Sequence, residues 1–396
     1  MPIPTPLHAR TAPLNANHEW RDWAGYLSAS LYEPSHEREY YAIRNAAALI
    51  DVSPLFKYEV SGPDALRAVD RLITRDATKC RVGQVLYTPW CDEDGQVIDD
   101  GTVARLAEDR FRITAADPNL RWFQDVAYGF DAQVEDVSTS LAALSLQGPN
   151  SREILRAVAG GIDLDALRYF HLAQGTVDTI PLTITRTGYT GDLGYELWVP
   201  AEYAVDLWDR LVDHGQAYGL LPVGMVAMDI ARIEAGLLLI EVDYKSSAHA
   251  QIEAQKSSPF ELGLGWAVAL DAGDFVGRDA LRAEKARGSA WAFAGVEVSW
   301  TSIAKLYAEE DLPPQVAGRA SRQAIPVYRN GRQVGQLTSH TFSPILKRYI
   351  GIGTVLAEHA APGATLDVEV TVEYRRKQAR GTIVPTPFYD PAHKRR

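Results

Sequence analysis

The hydrophobic periodicity of the chain changes once, near residue 290, and this change constrains the fold more than any single motif. Before it, helical spacings such as Leu66, Val69 and Leu72 alternate with strand-like runs such as Phe56 to Val60. Beyond Gly295 come short β segments broken by turns. Asn330-Gly331 between Val327 and Val334 is a type I′ hairpin signal, and Leu366 to Tyr374 is rich in Val and Thr. No βαβ unit repeats in the first part, so the pattern predicts an α+β chain rather than a doubly wound sheet. The break divides the 396 residues into an α+β region over 1–290 and a C-terminal β-barrel-like domain over 291–396.

Within the first region, Ser35 reads as the N-cap of a helix carrying Tyr40, Ile43, Ala47 and Leu49. Residues 85–115 read as a meander turning at Asp92-Glu93-Asp94-Gly95, and further helices are expected at Ser151 to Ala159, Ala204 to His214 and Val226 to Leu237. Residues 1–17, with Pro2, Pro4, Pro6 and Pro13, read as an extended arm. Thr301 to Arg322, with Pro313-Pro314, reads as a surface loop, and Lys394, Arg395 and Arg396 as a tail.

Charge and composition narrow the function. A net charge of −11 disfavours nucleic acid as a partner, because phosphate binding needs a basic face. The basic run Arg375, Arg376, Lys377 and Arg380 alternates in direction on a strand and reads as a solvated face. Apolar stretches such as Ala235 to Ile240 fall far short of a membrane span, so no membrane contact is expected. Cys80 and Cys91 alone form no disulfide framework, which suits a cytoplasmic setting. No histidine pair has metal-ligand spacing, and the acidic cluster from Asp92 to Asp100 has Val97 where a calcium loop needs glycine, so no metal is expected. Gly263-Leu264-Gly265 and Gly351-Ile352-Gly353 lack the third glycine of a dinucleotide fingerprint.

Two segments carry candidate chemistry. In Val97-Ile98-Asp99-Asp100-Gly101, strand alternation sends the adjacent aspartates to opposite faces, so one must face inward. An inward carboxylate needs a donor, either turn amides or a ligand. In Arg186 to Trp198, glycines 188, 191 and 194 give a tight path between two strands, and Glu196 lies between Tyr195 and Leu197. A carboxylate there can pair both oxygens with a ring N–H and an exocyclic amino group, as guanine and pterin present them. Alternatively, Glu196 and Trp198 share an outward face.

Taken together, these segments resemble the glycine-cleavage T-protein family, the tetrahydrofolate-dependent aminomethyltransferases. Thr185 to Glu196 is similar to the family's signature loop. Ile50-Asp51-Val52-Ser53, the Asp99-Asp100 pair, Leu146-Gln147-Gly148-Pro149, Arg232-Ile233-Glu234-Ala235, Phe275 to Leu281, Phe342-Ser343-Pro344 and Pro387-Phe388-Tyr389 recur in family order. The resemblance implies a ring of three subdomains around a central folate channel, with tetrahydrofolate as cofactor. It further implies that Asp100 acts near the reactive folate nitrogens and that Glu196 holds the pterin edge. By the same match, Tyr87 and Tyr189 line the channel and Arg232 supports it. Core aromatics, and a helix-surface ion pair of Arg232 with Asp229, are the alternative readings of these last three.

The chain departs from the family at three places. Pro54-Leu55 replaces His-Met, Met228 replaces an arginine before Asp229, and Trp23-Ala24-Gly25-Tyr26 replaces a Gly-Trp-x-Met-Pro stretch. Losing an arginine removes a fixed charge and five donors, so donor or folate-tail contacts must differ. The expectation is a one-carbon transferase demethylating a small N-, O- or S-methyl compound, without a lipoyl carrier protein. Two alternatives stand beside it. One is true glycine cleavage with such a carrier. The other is a non-catalytic folate binder resembling iron–sulphur assembly factors, which carry a Lys-Gly-Cys motif where this chain has Leu262-Gly263-Leu264-Gly265.

Overall fold

A short link, Val52 to Leu55, separates strand Ala47–Asp51 from strand Phe56–Ser61, yet the two belong to different sheets. The computed structural model describes residues 1–159 and 161–395. The first sheet has six strands in the order Leu172–Val177, Ile180–Thr185, Gly194–Pro200, Leu141–Gln147, Ala47–Asp51, Leu220–Pro222. Its pairs are antiparallel except the last, which is parallel. Alternation sorts its residues. Leu144, Leu146, Tyr195 and Leu197 pack under helices Ser151–Val158 and Ala204–Gly215, through Ile154, Leu155, Leu207 and Leu211. Ile50, Ala143 and Trp198 face the other way, onto Ile43 of helix Glu37–Asn45 and Ile230 of helix Met225–Glu234.

The second sheet runs Val85–Cys91, Val97–Ala107, Arg110–Ala115, Phe56–Ser61, Gln133–Asp136, all antiparallel. Helices Ala65–Leu72 and Leu120–Ala127 cover it, with Trp90, Phe111 and Phe123 at the centre of the core. The third body is a closed six-stranded barrel built from strands between Trp291 and Val384. The mixed helix-and-sheet part and the barrel agree with the α+β expectation. At the barrel's Asn330-Gly331 turn both residues have positive φ, 50° and 74°, as the primed hairpin requires.

Several local expectations are corrected. Residues 1–17 are not an extended arm: His8–Leu14 is helical, and Leu7 is fully buried in the first sheet's core. Burial of that leucine anchors the segment, while Pro4 sits in a two-residue strand. Helix Glu37–Asn45 starts after His36 rather than Ser35, and Ala47 and Leu49 belong to a strand because Ala46 leaves helical space. The 301–322 segment is partly helical. Trp300–Ala308 is capped by Ser299, whose hydroxyl accepts from the Ser302 amide, and it buries Ile303 against the barrel. The apolar spacing Ile303, Leu306, Tyr307 carries that helix. Lys394 is no free tail, since its carbonyl accepts from Arg186 at 3.1 Å; Arg396 lies outside the described residues. No helix among the described residues is long and apolar enough to cross a membrane. Cys80 and Cys91 are buried, and burial pushes the Cys80 thiol up to about 11, which leaves it inert.

Candidate functional site

The three bodies enclose a cavity of about 1170 Å³, above the usual range for a small-molecule pocket. All five residues singled out from the sequence line it: Asp100, Glu196, Tyr87, Tyr189 and Arg232.

The two aspartates separate as strand alternation requires. Asp99 is fully buried on the core side, where its oxygens accept from the Asp100 amide at 2.7 Å, the Asp117 amide at 3.1 Å and the Asn119 side chain at 2.9 Å. Those donors include the turn amides of one sequence reading, and they leave Asp99 a structural residue. Asp100 points into the cavity instead. Tyr87 donates its hydroxyl to Oδ2 at 2.5 Å, and Tyr244 donates to Oδ1. Burial raises the Asp100 carboxyl above its ordinary range, while the two tyrosine donors pull it back towards the charged form. Burial, and then the Asp100 charge, raise both phenols, so they remain protonated donors. No sequence signal points to Tyr244, which sits in an irregular segment with no periodicity around it.

Glu196 occupies the second wall. Its neighbours Tyr195 and Leu197 enter the core, so alternation turns Glu196 and Trp198 to one face, and that face is the cavity side of the sheet rather than solvent. Thr187 donates to Oε2 at 2.5 Å, and no cation pairs with the carboxylate among the described residues. Burial raises this carboxyl, with the Thr187 and Thr185 hydroxyls opposing. The glycines hold the loop by close approach. A side chain at Gly188 or Gly194 would meet the Gln147 side chain at 2.2 or 2.1 Å, and Gly191 has φ of 76°. Gln147 in turn accepts from the Thr190 hydroxyl at 2.9 Å.

Arg232 is not on a helix surface. Its side chain is 1% exposed, and it donates to Asp229 at 2.9 Å, Asp243 at 2.5 Å and the Ser339 hydroxyl at 2.7 Å. Burial alone would lower the guanidinium, and the Asp243 and Asp229 carboxylates more than reverse this. The ion pair with Asp229 is present but lies within helix Met225–Glu234, and the bond to Ser339 is what ties that helix to the barrel strand Arg332–Ser343. Tyr189 donates to the Leu238 carbonyl and forms part of the cavity wall.

The three departures converge on this space. Trp23, Leu55 and Met228 all line the cavity, and Trp23 and Leu55 pack on the cluster that contains Met228. A further wall is aromatic: Tyr87 stacks on Trp266 at 6.1 Å, and Arg75 lies 5.6 Å over the Trp266 ring.

The residues present fit a pterin. A buried carboxylate with only hydroxyl partners has acceptor capacity for two ring donors, and the Tyr87–Trp266–Arg75 wall suits an aromatic group followed by a carboxylate. Family models agree with the geometry. The GCVT N-terminal domain matches residues 7–272, and the glycine cleavage T-protein C-terminal barrel domain matches residues 314–390. The chain is 37% identical over 367 residues to the aminomethyltransferase of Symbiobacterium thermophilum, covering 90% of each protein. It is 34% identical over 354 residues to that of Halothermothrix orenii, covering 88% of this chain and 90% of the relative. In fold it is similar to the glycine cleavage system aminomethyltransferase T from Bartonella henselae, with a TM-score of 0.83 at 24% identity over 98% of this chain and 99% of the other. A matching barrel, a matching N-terminal region and identity along nearly the whole length establish that the chain belongs to the glycine cleavage T-protein family and is a tetrahydrofolate-dependent transferase.

Proposed function

We propose that the protein transfers a methyl group from a small N-, O- or S-methyl compound to tetrahydrofolate. The observation that carries this reading is the convergence of Trp23, Leu55 and Met228 on one part of the cavity that also holds Asp100 and Glu196. An apolar wall selects a compact, partly apolar donor over the charged arm of a carrier protein. The names of the relatives favour the other reading, aminomethyl transfer from a lipoyl carrier in glycine cleavage.

Tetrahydrofolate supplies the ring nitrogen that accepts the one-carbon unit. Glu196 holds the pterin edge, and Tyr87, Tyr189 and Trp266 line the path around it. In demethylation the bond from methyl to the donor's heteroatom breaks and one from methyl to the folate ring nitrogen forms; the heteroatom keeps the electron pair and takes the proton that the nitrogen loses, so no oxidant is needed. Asp100, held by the two tyrosine hydroxyls, is the group that holds or moves this proton. Arg232 is a positioning residue that braces helix Met225–Glu234 beneath the site.

The test is a donor screen with purified protein and tetrahydrofolate, read as folate one-carbon products by mass spectrometry. Small methylated donors should give methyltetrahydrofolate. Efficient production of methylenetetrahydrofolate and ammonia from aminomethyl-lipoyl carrier protein, with kcat/KM of about 10⁴ M⁻¹s⁻¹ or more, would overturn the reading.

Two variants probe the site itself. Glu196→Gln keeps one acceptor but loses the charge, and it should weaken tetrahydrofolate binding by about 1–3 kcal/mol in calorimetry. An unchanged affinity in the folded variant would remove Glu196 from the folate site. Tyr244→Phe removes a donor that stabilises the charged form of Asp100, so the carboxyl should rise further. The acidic limb of kcat/KM should then move up by about one to two pH units, since a hydrogen bond to a charged group contributes about 1.5–3 kcal/mol. A limb that stays still, or moves down, would dissociate Asp100 from the rate.

A further inference from the structure

The part of the cavity wall that carries the departures also carries an excess of guanidinium groups. Arg21, on strand Trp20–Trp23, and Arg322, in the segment before the barrel strand Ile325–Arg329, both line the cavity next to Trp23 and Asp229. Arg21 makes no side-chain hydrogen bond or ion pair among the described residues. Burial lowers its guanidinium, and the neighbouring charge of Arg322 lowers it further, with the charges of Asp229 and Glu19 opposing.

The acidic groups nearby hold other partners. Asp229 gives one oxygen to Arg232 at 2.9 Å and the other to Arg322 at 2.7 Å. Glu19 is held by both terminal nitrogens of Arg319, at 2.7 and 3.1 Å. Asp22 spends an oxygen on the Gly25 amide at 2.9 Å. Arg322 makes its hydrogen bond to Asp229 through Nε, and its side chain is 34% exposed, so its terminal nitrogens are available to the cavity. Two cationic forks therefore line a half-buried space, and among the described residues no carboxylate is hydrogen-bonded to Arg21. A half-buried guanidinium without a partner keeps its desolvation cost until an anion arrives.

We propose that Arg21 and Arg322 bind the carboxylate of the methyl donor, which makes the donor a small methylated acid. This rests on the demethylase reading and narrows it. A planar carboxylate suits two adjacent guanidinium forks, while Trp23, Leu55 and Met228 receive the apolar part that bears the methyl group. Arg75 and the Tyr87–Trp266 pair form a separate wall with a cation of its own. The carboxylates of the folate tail are assigned to that wall, which leaves the Arg21–Arg322 site for the donor.

The experiment is calorimetric titration of the tetrahydrofolate-saturated protein with methoxyacetate, N-methylglycine and (methylthio)acetate, each against its primary amide. At least one acid should bind about tenfold or more tighter than its amide, as expected for a charge-assisted pair. Arg21→Met should bring that ratio close to one while leaving tetrahydrofolate affinity unchanged. Four results would overturn the assignment. These are acids binding no better than amides, no acid binding at all, a preference that survives Arg21→Met and Arg322→Met together, or a loss of tetrahydrofolate affinity in Arg21→Met, which would make this the folate-tail site. The two readings fail separately. Arg21-dependent acid binding without methyl transfer sinks the demethylase reading alone, and demethylation of an uncharged donor sinks the carboxylate site alone.

Discussion

Asp100→Asn should cut turnover by a factor of about 10²–10⁴ and leave tetrahydrofolate binding largely intact. The substitution is isosteric, and an amide cannot take or hold the proton. Its oxygen can still accept from one tyrosine hydroxyl, and its amino group can donate to the oxygen of the other, so the local geometry survives. Asp99→Asn should behave differently. Asp99 accepts three hydrogen bonds from the protein and faces away from the cavity, so an amino group placed among those donors leaves a buried group unsatisfied. That costs about 1–3 kcal/mol of stability. Steady-state kinetics and chemical denaturation on both variants separate the roles. Equal losses of turnover at equal stability would mean that the pair acts as one structural unit and that Asp100 carries no chemistry.

The sequence pattern made this division of labour partly legible. Strand alternation alone dictates that Asp99 and Asp100 face opposite ways, and it turns Glu196 away from the core that takes Tyr195 and Leu197. Which face becomes a cavity is set by the packing of three bodies, and no local pattern encodes that. Tyr244 illustrates the gap: it reaches Asp100 across a separation of 144 residues, from a segment without regular structure. Arg322 reaches Asp229 in the same way, from a stretch that reads as a surface loop. Short helices were hidden for a different reason. The prolines near the N-terminus and in the 301–322 segment dominate the reading, yet Leu7 and Ile303 each find a core to enter, and that burial outweighs the breakers. The helical spacing runs on through Ala47 and Leu49, yet the helix ends at Ala46 because those residues complete a buried strand, where apolar residues lie on both faces.

Several motifs that carry the family resemblance serve the assembly of the channel rather than its chemistry. Gln147 fills the space between Gly188 and Gly194, and the Glu234 of Arg232-Ile233-Glu234-Ala235 never faces the cavity. Glu234 accepts from the Tyr40 hydroxyl at 2.6 Å and the Ser343 hydroxyl at 2.5 Å on one oxygen, and from Arg44 at 2.6 Å on the other. Ser343 belongs to the Phe342-Ser343-Pro344 motif of the barrel. The third motif, Pro387-Phe388-Tyr389, closes the cluster: the Tyr389 amide donates to the Glu234 carbonyl at 2.9 Å, and Arg44 lies 4.5 Å over the Tyr389 ring.

This cluster sets the second large expectation, that Arg44→Met lowers stability by about 3–5 kcal/mol. Arg44 and Glu234 have fully buried side chains, and Arg44 also reaches Asp192, the Thr190 carbonyl and the Ala231 carbonyl. Methionine fills similar volume and removes every one of those donors. Glu234 then keeps two hydroxyls on one oxygen and nothing on the other, while Asp192 keeps His393 at 2.6 Å and the Leu193 amide at 2.8 Å. A buried carboxylate left half-satisfied is the costly outcome, whereas removing the charge on both sides is not. Arg44→Met combined with Glu234→Gln should therefore recover part of the loss, which a simple packing defect would not allow. Chemical denaturation of the single and double variants measures both quantities. Because the cluster joins helix Glu37–Asn45, the loop at 190–192, helix Met225–Glu234 and the barrel, the single variant should also loosen tetrahydrofolate binding without any of its atoms touching the cavity. A loss below about 1 kcal/mol, as is typical of exposed ion pairs, would show that the pair is solvated in solution and does not hold the channel together.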